Sequence, residues 1–369
     1  SNRGKLRFML YEEKFTAKVI RNAVTSPDEK LIVFNAVGYL YSKIVTDPKA
    51  DYYSIAPPAR LTTGADFEFE PCYSPDGNDL IYVTWNDEKM GAIMKYNFKT
   101  KKSIALTTEK GIYRTPKYSA DGKKIVFIKE GGNSDMGFTY CNEPGIYWMD
   151  AAGGKMNFVT AEGENPLFNA DGSRIFYFAS GYPNVQYKSI DLSGNKEKIH
   201  FTSKYATDFV PSPDNKWVAF RELHNVYVAA FPASGKEIDL SAQAGAVPVA
   251  KISRDAGINM HWSNDSKKIH WTLGEEYFTS ELKNRFKFLE GSPAELPPLD
   301  STGIKIGLTV TTDKPGGTIV FKGARIITMK GNEVIENGVI VIIGNKINAI
   351  GKEGEVNFPK NAKVYDVTG

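Results

Sequence analysis

The sequence predicts an all-β protein: a six-bladed propeller with a small β unit behind it. Three observations carry that prediction. A hairpin with an aspartate in its turn recurs six times along the chain. A second strand pair with its own turn follows the hairpins, as a four-stranded blade requires. No long stretch has the 3.6-residue apolar period of a helix.

The clearest copy lies within Phe69–Trp85. One strand runs into the turn Ser74-Pro75-Asp76-Gly77, and Leu80-Ile81-Tyr82-Val83 returns. Aspartate accepts hydrogen bonds from the backbone just after it, and glycine takes the positive φ that closes such a turn. The returning run is short and rich in β-branched and aromatic residues, which marks a buried strand. The other turns are centred on Asp28, Asp121, Asp171, Asp214 and Asp265, with successive aspartates 43 to 51 residues apart. That is slightly more than a blade needs, so the surplus is expected in loops. The second strand pairs are MKYNFKTKKSIALTT, IYWMDAAGGKMNFVT, YKSIDLSGNKEKIHFT and VYVAAFPASGKEIDLS.

Composition bounds the rest. The 369 residues are 41% hydrophobic and 12% aromatic, enough for a large core. A net charge of +3 with intermixed signs asks for neither nucleic acid nor an anionic membrane. Two cysteines, Cys72 and Cys141, make no disulfide framework, and Cys72 reads as a small buried residue. No apolar run is long enough to span a bilayer. Ser1-Asn2 looks like the scar of tag removal, and the expected compartment is periplasmic or secreted.

In chain order, Leu6–Val24 reads as lead-in strands to the first blade. Three residues before each turn aspartate stand Thr25, Tyr73, Tyr118, Phe168, Pro211 and Trp262. Four aromatics in one column suit the wedge between blades, and packing there is favoured over an aromatic binding box. The turn aspartates stand apart from other oxygen-bearing side chains, which fits turn capping and not calcium. Gly131–Pro144 is a polar, glycine-rich insertion that serves either partner contacts or mere length variation. Gly291–Asp300 is a proline-rich break, and Ile304–Thr311 can supply one more strand. The boundary is expected at Asp313-Lys314-Pro315-Gly316-Gly317, giving a propeller over residues 1–312 and a β unit over 313–369.

Six residues before each turn aspartate lies a column that is polar throughout: Asn22, Glu70, Thr115, Asn165, Asp208 and Asn259. If the first strand of each hairpin is innermost in its blade, these side chains ring the central channel at one mouth. Arg21, Arg114 and Glu164 then flank the ring. The structural reading is that the column satisfies backbone groups and holds ordered water. The functional reading is a ring that admits or binds a cation or a small polar substrate.

Two resemblances rest on these motifs. The six hairpins resemble the TolB-like β-propeller repeat. The segment Ile319–Gly351, with Gly-Ala-Arg-Ile-Ile-Thr-Met, Ile-Glu-Asn-Gly-Val-Ile-Val-Ile and Gly-Asn-Lys-Ile-Asn-Ala-Ile-Gly, resembles the N-terminal β-sandwich strands of the amidohydrolase superfamily. The order of the two is similar to bacterial amidohydrolases that carry a TolB-like propeller. The resemblance implies a strand such as Lys363–Gly369 leading into a metal-dependent barrel, opened by a His-x-His pair and loaded with a divalent metal, zinc by expectation. None of His200, His224, His261 and His270 forms His-x-His, so this chain is read as the non-catalytic part, with no cofactor of its own and the barrel as its partner. His261 and His270 flank the sixth turn and are expected to meet across it without making a zinc site. Three functions follow as expectations. They are an accessory portion of an amidohydrolase whose propeller screens substrate, a TolB-like protein-interaction propeller, and the gating propeller of a prolyl-oligopeptidase-like peptidase. The strands from Ile319 onward speak against the third.

Overall fold

A computed structural model describes residues 12–45, 56–132, 141, 143–233 and 235–369. The chain divides into two compact units, Thr16–Leu308 and a second in which the start of the chain, up to Phe15, joins Thr309–Gly369. Most of the Gly131–Pro144 insertion and part of the Leu6–Val24 lead-in lie outside the described residues.

The larger unit is a propeller of six sheets, each with its first four strands joined as antiparallel neighbours. The innermost strands are Arg21–Thr25, Phe67–Tyr73, Ile112–Tyr118, Glu164–Phe168, Ala206–Pro211 and Ile258–Trp262. Each pairs with the strand that returns from its aspartate turn. The turns hold themselves shut by one repeated device. In the fifth blade the Ser212 hydroxyl donates to Asp214 Oδ1 at 2.6 Å and accepts from the Trp217 N–H at 3.0 Å. Asp214 Oδ1 also accepts from the Lys216 N–H at 3.1 Å. Ser26–Asp28, Ser74–Asp76, Ser119–Asp121 and Ser263–Asp265 repeat the pattern. Asn169 replaces the serine in the fourth blade, and its Oδ1 accepts from Arg174 N at 2.9 Å. The aspartates therefore cap turns.

Core clusters fill the wedges between blades. Val33 and Leu40 pack on Leu80 and Tyr82, Ile81 and Val83 on Ile125 and Phe127, and Val126 and Ile146 on Ile175 and Tyr177. Phe176 and Tyr187 meet Phe209 and Phe220, and Val226 and Val228 meet Ile269 and Trp271. Tyr73, Tyr118, Phe168 and Trp262 pack against these clusters as partly buried residues. The aromatic column is wedge packing.

The fifth blade departs from the sequence expectation. VYVAAFPASGKEIDLS does not form a single strand pair: its second half, Ile238–Asp239, runs parallel to Lys198–Ser203 at the edge of the fourth blade. Leu240, fully buried in the cluster with Phe201 and Phe231, anchors it there. The outer strand of the fifth blade is Val249–Lys251 instead.

Ring closure uses no exchanged strand among the described residues, because the first and sixth blades are each built from consecutive strands. Hydrogen bonds link the two blades directly. Asn259 Oδ1 accepts from the Asn22 N–H at 2.9 Å, and Thr25 Oγ1 lies 2.7 Å from His261 Nε2 and 2.8 Å from the Tyr277 hydroxyl. Lys268 pairs with Glu29 at 2.7 Å. Lys43 Nζ donates to the carbonyls of Lys305 and Ile306.

In the second unit, Thr318–Ile327, Val334–Ile343 and Lys346–Lys352 form an antiparallel meander, and Lys363–Asp366 adds on parallel to the first of them. Val320, Val339 and Val341 are its buried centre. The boundary falls at Leu308/Thr309, four residues before the expected 312/313. Ile304–Thr311 is split: Ile304–Lys305 is the outer strand of the sixth blade, whereas Thr309–Thr311 pairs with Lys14–Thr16. Gly307 has a φ of +67°, which suits glycine.

Candidate functional site

Each innermost strand carries a β-bulge. In five blades the ladder skips one register between the residues seven and four before the aspartate, as at Arg21/Val24 and Arg114/Lys117. The residue inside the skip takes a left-handed conformation: Asn22 (φ 50°), Glu70 (53°), Thr115 (48°), Asn165 (50°) and Asn259 (56°). These are five of the six members of the polar column. Asparagine tolerates this region, whereas a β-branched threonine adopts it at a cost of about 1–2 kcal/mol. Pro71, Pro116 and Pro166 follow three of them, where a bulge leaves no ladder bond for the missing N–H. The fifth blade differs: its skip lies between Ala206 and Asp208, and Asp208 pairs regularly with Arg221.

All six column residues line one cavity of about 550 Å³ on the propeller axis. Asn22, Glu70 and Asn259 also line a second cavity of about 710 Å³. Half of the column is therefore shared by the two cavities. Of the three flanking residues, Arg21 and Arg114 line the second cavity and Glu164 lines neither. Residues of the aspartate turns line the first cavity too, and the Asn264 side-chain amide reaches the Pro75 carbonyl at 3.3 Å, from the sixth blade to the second.

Two column side chains are engaged in the scaffold. Asn259 caps the Asn22 N–H, and Glu70 accepts from the Thr115 N–H while pairing with Arg114 at 2.8 Å. Each thereby ties the bulge of one blade to the next. Among the described residues, Asn22 and Asn165 make no side-chain hydrogen bond and the buried Thr115 hydroxyl has no partner. Asp208 makes no ion pair within the described residues. Burial pushes its carboxyl above the ordinary range, against the pull of Arg221, the Phe209 N–H and Lys117.

Lys117 is the residue that sequence reasoning missed. It lines the same cavity, half-buried, and makes no hydrogen bond or ion pair with a described residue. The column four before each aspartate reads Val24, Cys72, Lys117, Leu167, Val210 and His261. A lysine in a mostly apolar column of an inward strand was the available signal. Cys72 also faces the cavity and is half-buried, so it is more accessible than the sequence reading of a buried residue.

His261 and His270 are cross-strand partners with ring centroids 5.1 Å apart. The Asn259 carbonyl 2.8 Å from His261 Nδ1 can only accept, so that nitrogen carries the proton and Nε2 accepts from Thr25. The Tyr277 hydroxyl then donates to Thr25, and His270 Nδ1, 2.7 Å from Tyr277, donates in turn. Both rings are neutral, and burial holds His261 down to about 4. No cluster of three or more His, Cys, Asp or Glu side chains with metal-binding geometry occurs among the described residues. No helix among them is long and apolar enough to cross a membrane.

No protein-family profile and no curated protein matches the chain. Among solved structures, TolB from Acinetobacter baumannii aligns at 17% identity and TM-score 0.47, over 73% of this chain and 60% of that one. This chain thus spans less than two thirds of that TolB. An oligogalacturonate lyase in complex with manganese aligns at 15% identity and TM-score 0.47, over 70% of this chain and 76% of the other. The gluconolactonase XC5397 from Xanthomonas campestris aligns at 10% identity and TM-score 0.51, over 71% and 85%. These likenesses are of fold.

Proposed function

We propose that this chain is an interaction propeller that takes a segment of a partner protein into its axial cavity, in a periplasmic or secreted setting. The observation that carries this reading is the cavity itself. All six blades contribute polar residues, five of them from strained bulges, and several of those groups have no partner among the described residues. Backbone strain persists where the surrounding structure enforces it, and such places are often functional. Asparagine side chains offer a donor and an acceptor together, which matches a peptide main chain. Aromatic edges from Tyr73, Tyr118 and Trp262 give apolar wall. Panning a displayed peptide library on the intact chain tests the reading. Enriched peptides should lose binding when Asn165→Trp fills the cavity. Peptides bound equally by both forms would place the interaction elsewhere.

A second reading is favoured by the β unit, whose strand order ends on Lys363–Asp366 running parallel beside Thr318–Ile327. There the unit is the N-terminal β part of an amidohydrolase, a barrel outside this sequence holds the divalent metal, and the propeller screens its substrate. Ile347 and Ile350, 62% and 43% exposed on this sheet, are apolar surface such a barrel would cover. A His-x-His motif in the coding sequence shortly after Gly369 is the expected result. An unrelated domain there would end this reading.

A further inference from the structure

The axial cavity holds opposite charges that do not touch. Lys117 enters from the third blade and Asp208 from the fifth, with the fourth between them. They make no direct ion pair, yet the Lys117 charge is felt at Asp208, after that of Arg221, and at His261. The other carboxylate in the cavity, Glu70, is already held by Arg114 and the Thr115 N–H. His261 is neutral, with both ring nitrogens hydrogen-bonded. The charges left for a ligand are therefore one cation and one anion, two blades apart. Asn165 stands on the blade between them and Asn22 on the first blade, both with no side-chain hydrogen bonds to described residues, and the Thr115 hydroxyl has no partner among those residues either. A desolvated carboxylate gains from an ammonium brought to it, and a lysine from a carboxylate, more than either gains from water at the surface.

We propose that this cavity binds a zwitterion of the class of short peptides with both ends free, Lys117 taking the carboxylate, Asp208 the ammonium, and Asn22 and Asn165 the amides between. The volume of about 550 Å³ is ample for a tripeptide. This rests on the reading of the axial cavity as the binding site, and it adds a free short peptide as an occupant beside the partner segment.

Calorimetric titration of the full chain with trialanine, triserine and trityrosine, each compared with its N-acetyl and C-amide forms, tests the proposal. At least one uncapped peptide should bind, and each cap should weaken it about tenfold or more, the loss of one charge-assisted contact. Lys117→Met should abolish the penalty of amidation and leave that of acetylation. Asp208→Asn should do the reverse. Lys117→Gln and Asp208→Ser serve where the first variant fails to fold, as judged by tryptophan fluorescence. The proposal is overturned if no uncapped peptide binds at millimolar concentration, if caps make no difference, or if both penalties survive in both variants. Library peptides that bind the cavity with capped ends would overturn it too, while leaving the interaction reading in place.

Discussion

Replacing Thr25 with valine removes one hydroxyl and keeps the shape. That hydroxyl joins the sixth blade to the first, lying 2.7 Å from His261 Nε2 and 2.8 Å from the Tyr277 hydroxyl. Without it, His261 Nε2 loses its donor, whereas the Tyr277 hydroxyl keeps His270 and Thr279 as neighbours. An unsatisfied buried polar group costs about 1–3 kcal/mol, and the stranded His261 Nε2 predicts a loss of that size. Urea unfolding followed by tryptophan fluorescence measures this, and it reports on the propeller alone because all five tryptophans lie within Thr16–Leu308. Thr25→Ser keeps the hydroxyl and should lose less than half as much. If Thr25→Val unfolds within about 0.5 kcal/mol of the parent, the network does not hold the ring closed.

Three further outcomes are expected. Burial holds His200 and His261 down to about 4, so the unfolded chain takes up protons first; propeller stability should be full above about pH 6.5 and fall as pH drops toward 4. Hydrogen bonds from Ser26, Ser74 and Ser119 hold Asp28, Asp76 and Asp121 below the ordinary carboxylate value of 3.8, which adds a further loss as acid protonates them. Burial raises Asp208 instead, so its charge destabilises at neutral pH: Asp208→Asn should raise the urea midpoint there and make no difference below about pH 4. Ser212→Ala strands the Trp217 N–H in a turn where the serine is 1% exposed, and should cost about 1–3 kcal/mol by the same urea assay.

The ring of blades was legible because its turn is chemically fixed. A serine that both donates to Asp and accepts from the returning strand leaves the same short pattern at Ser26, Ser74, Ser119, Ser212 and Ser263. Ile238–Asp239 was misplaced because strand propensity is local, whereas the partner was chosen by burial of Leu240 against Phe201. The polar column was readable as a column, but not its geometry. Left-handed φ at Asn22, Asn165 and Asn259 suits asparagine, whereas Glu70 and Thr115 give no such warning. Seam closure depended on side chains more than 230 residues apart, Thr25 with His261, which no local pattern reveals. Lys117 was visible only by comparing one repeat position across all blades.

Cys72 allows the most direct test of the axial cavity as the binding site. It lines that cavity half-buried, and Cys141, buried at 6% exposure, can be replaced by serine. The measurement is the rate at which a small methanethiosulfonate reagent modifies Cys72 in the Cys141→Ser chain, with and without a saturating peptide selected on the intact protein. The account predicts that the peptide slows modification severalfold and that the modified protein no longer binds it. An unchanged rate under saturation, with the modified protein still binding, would contradict it.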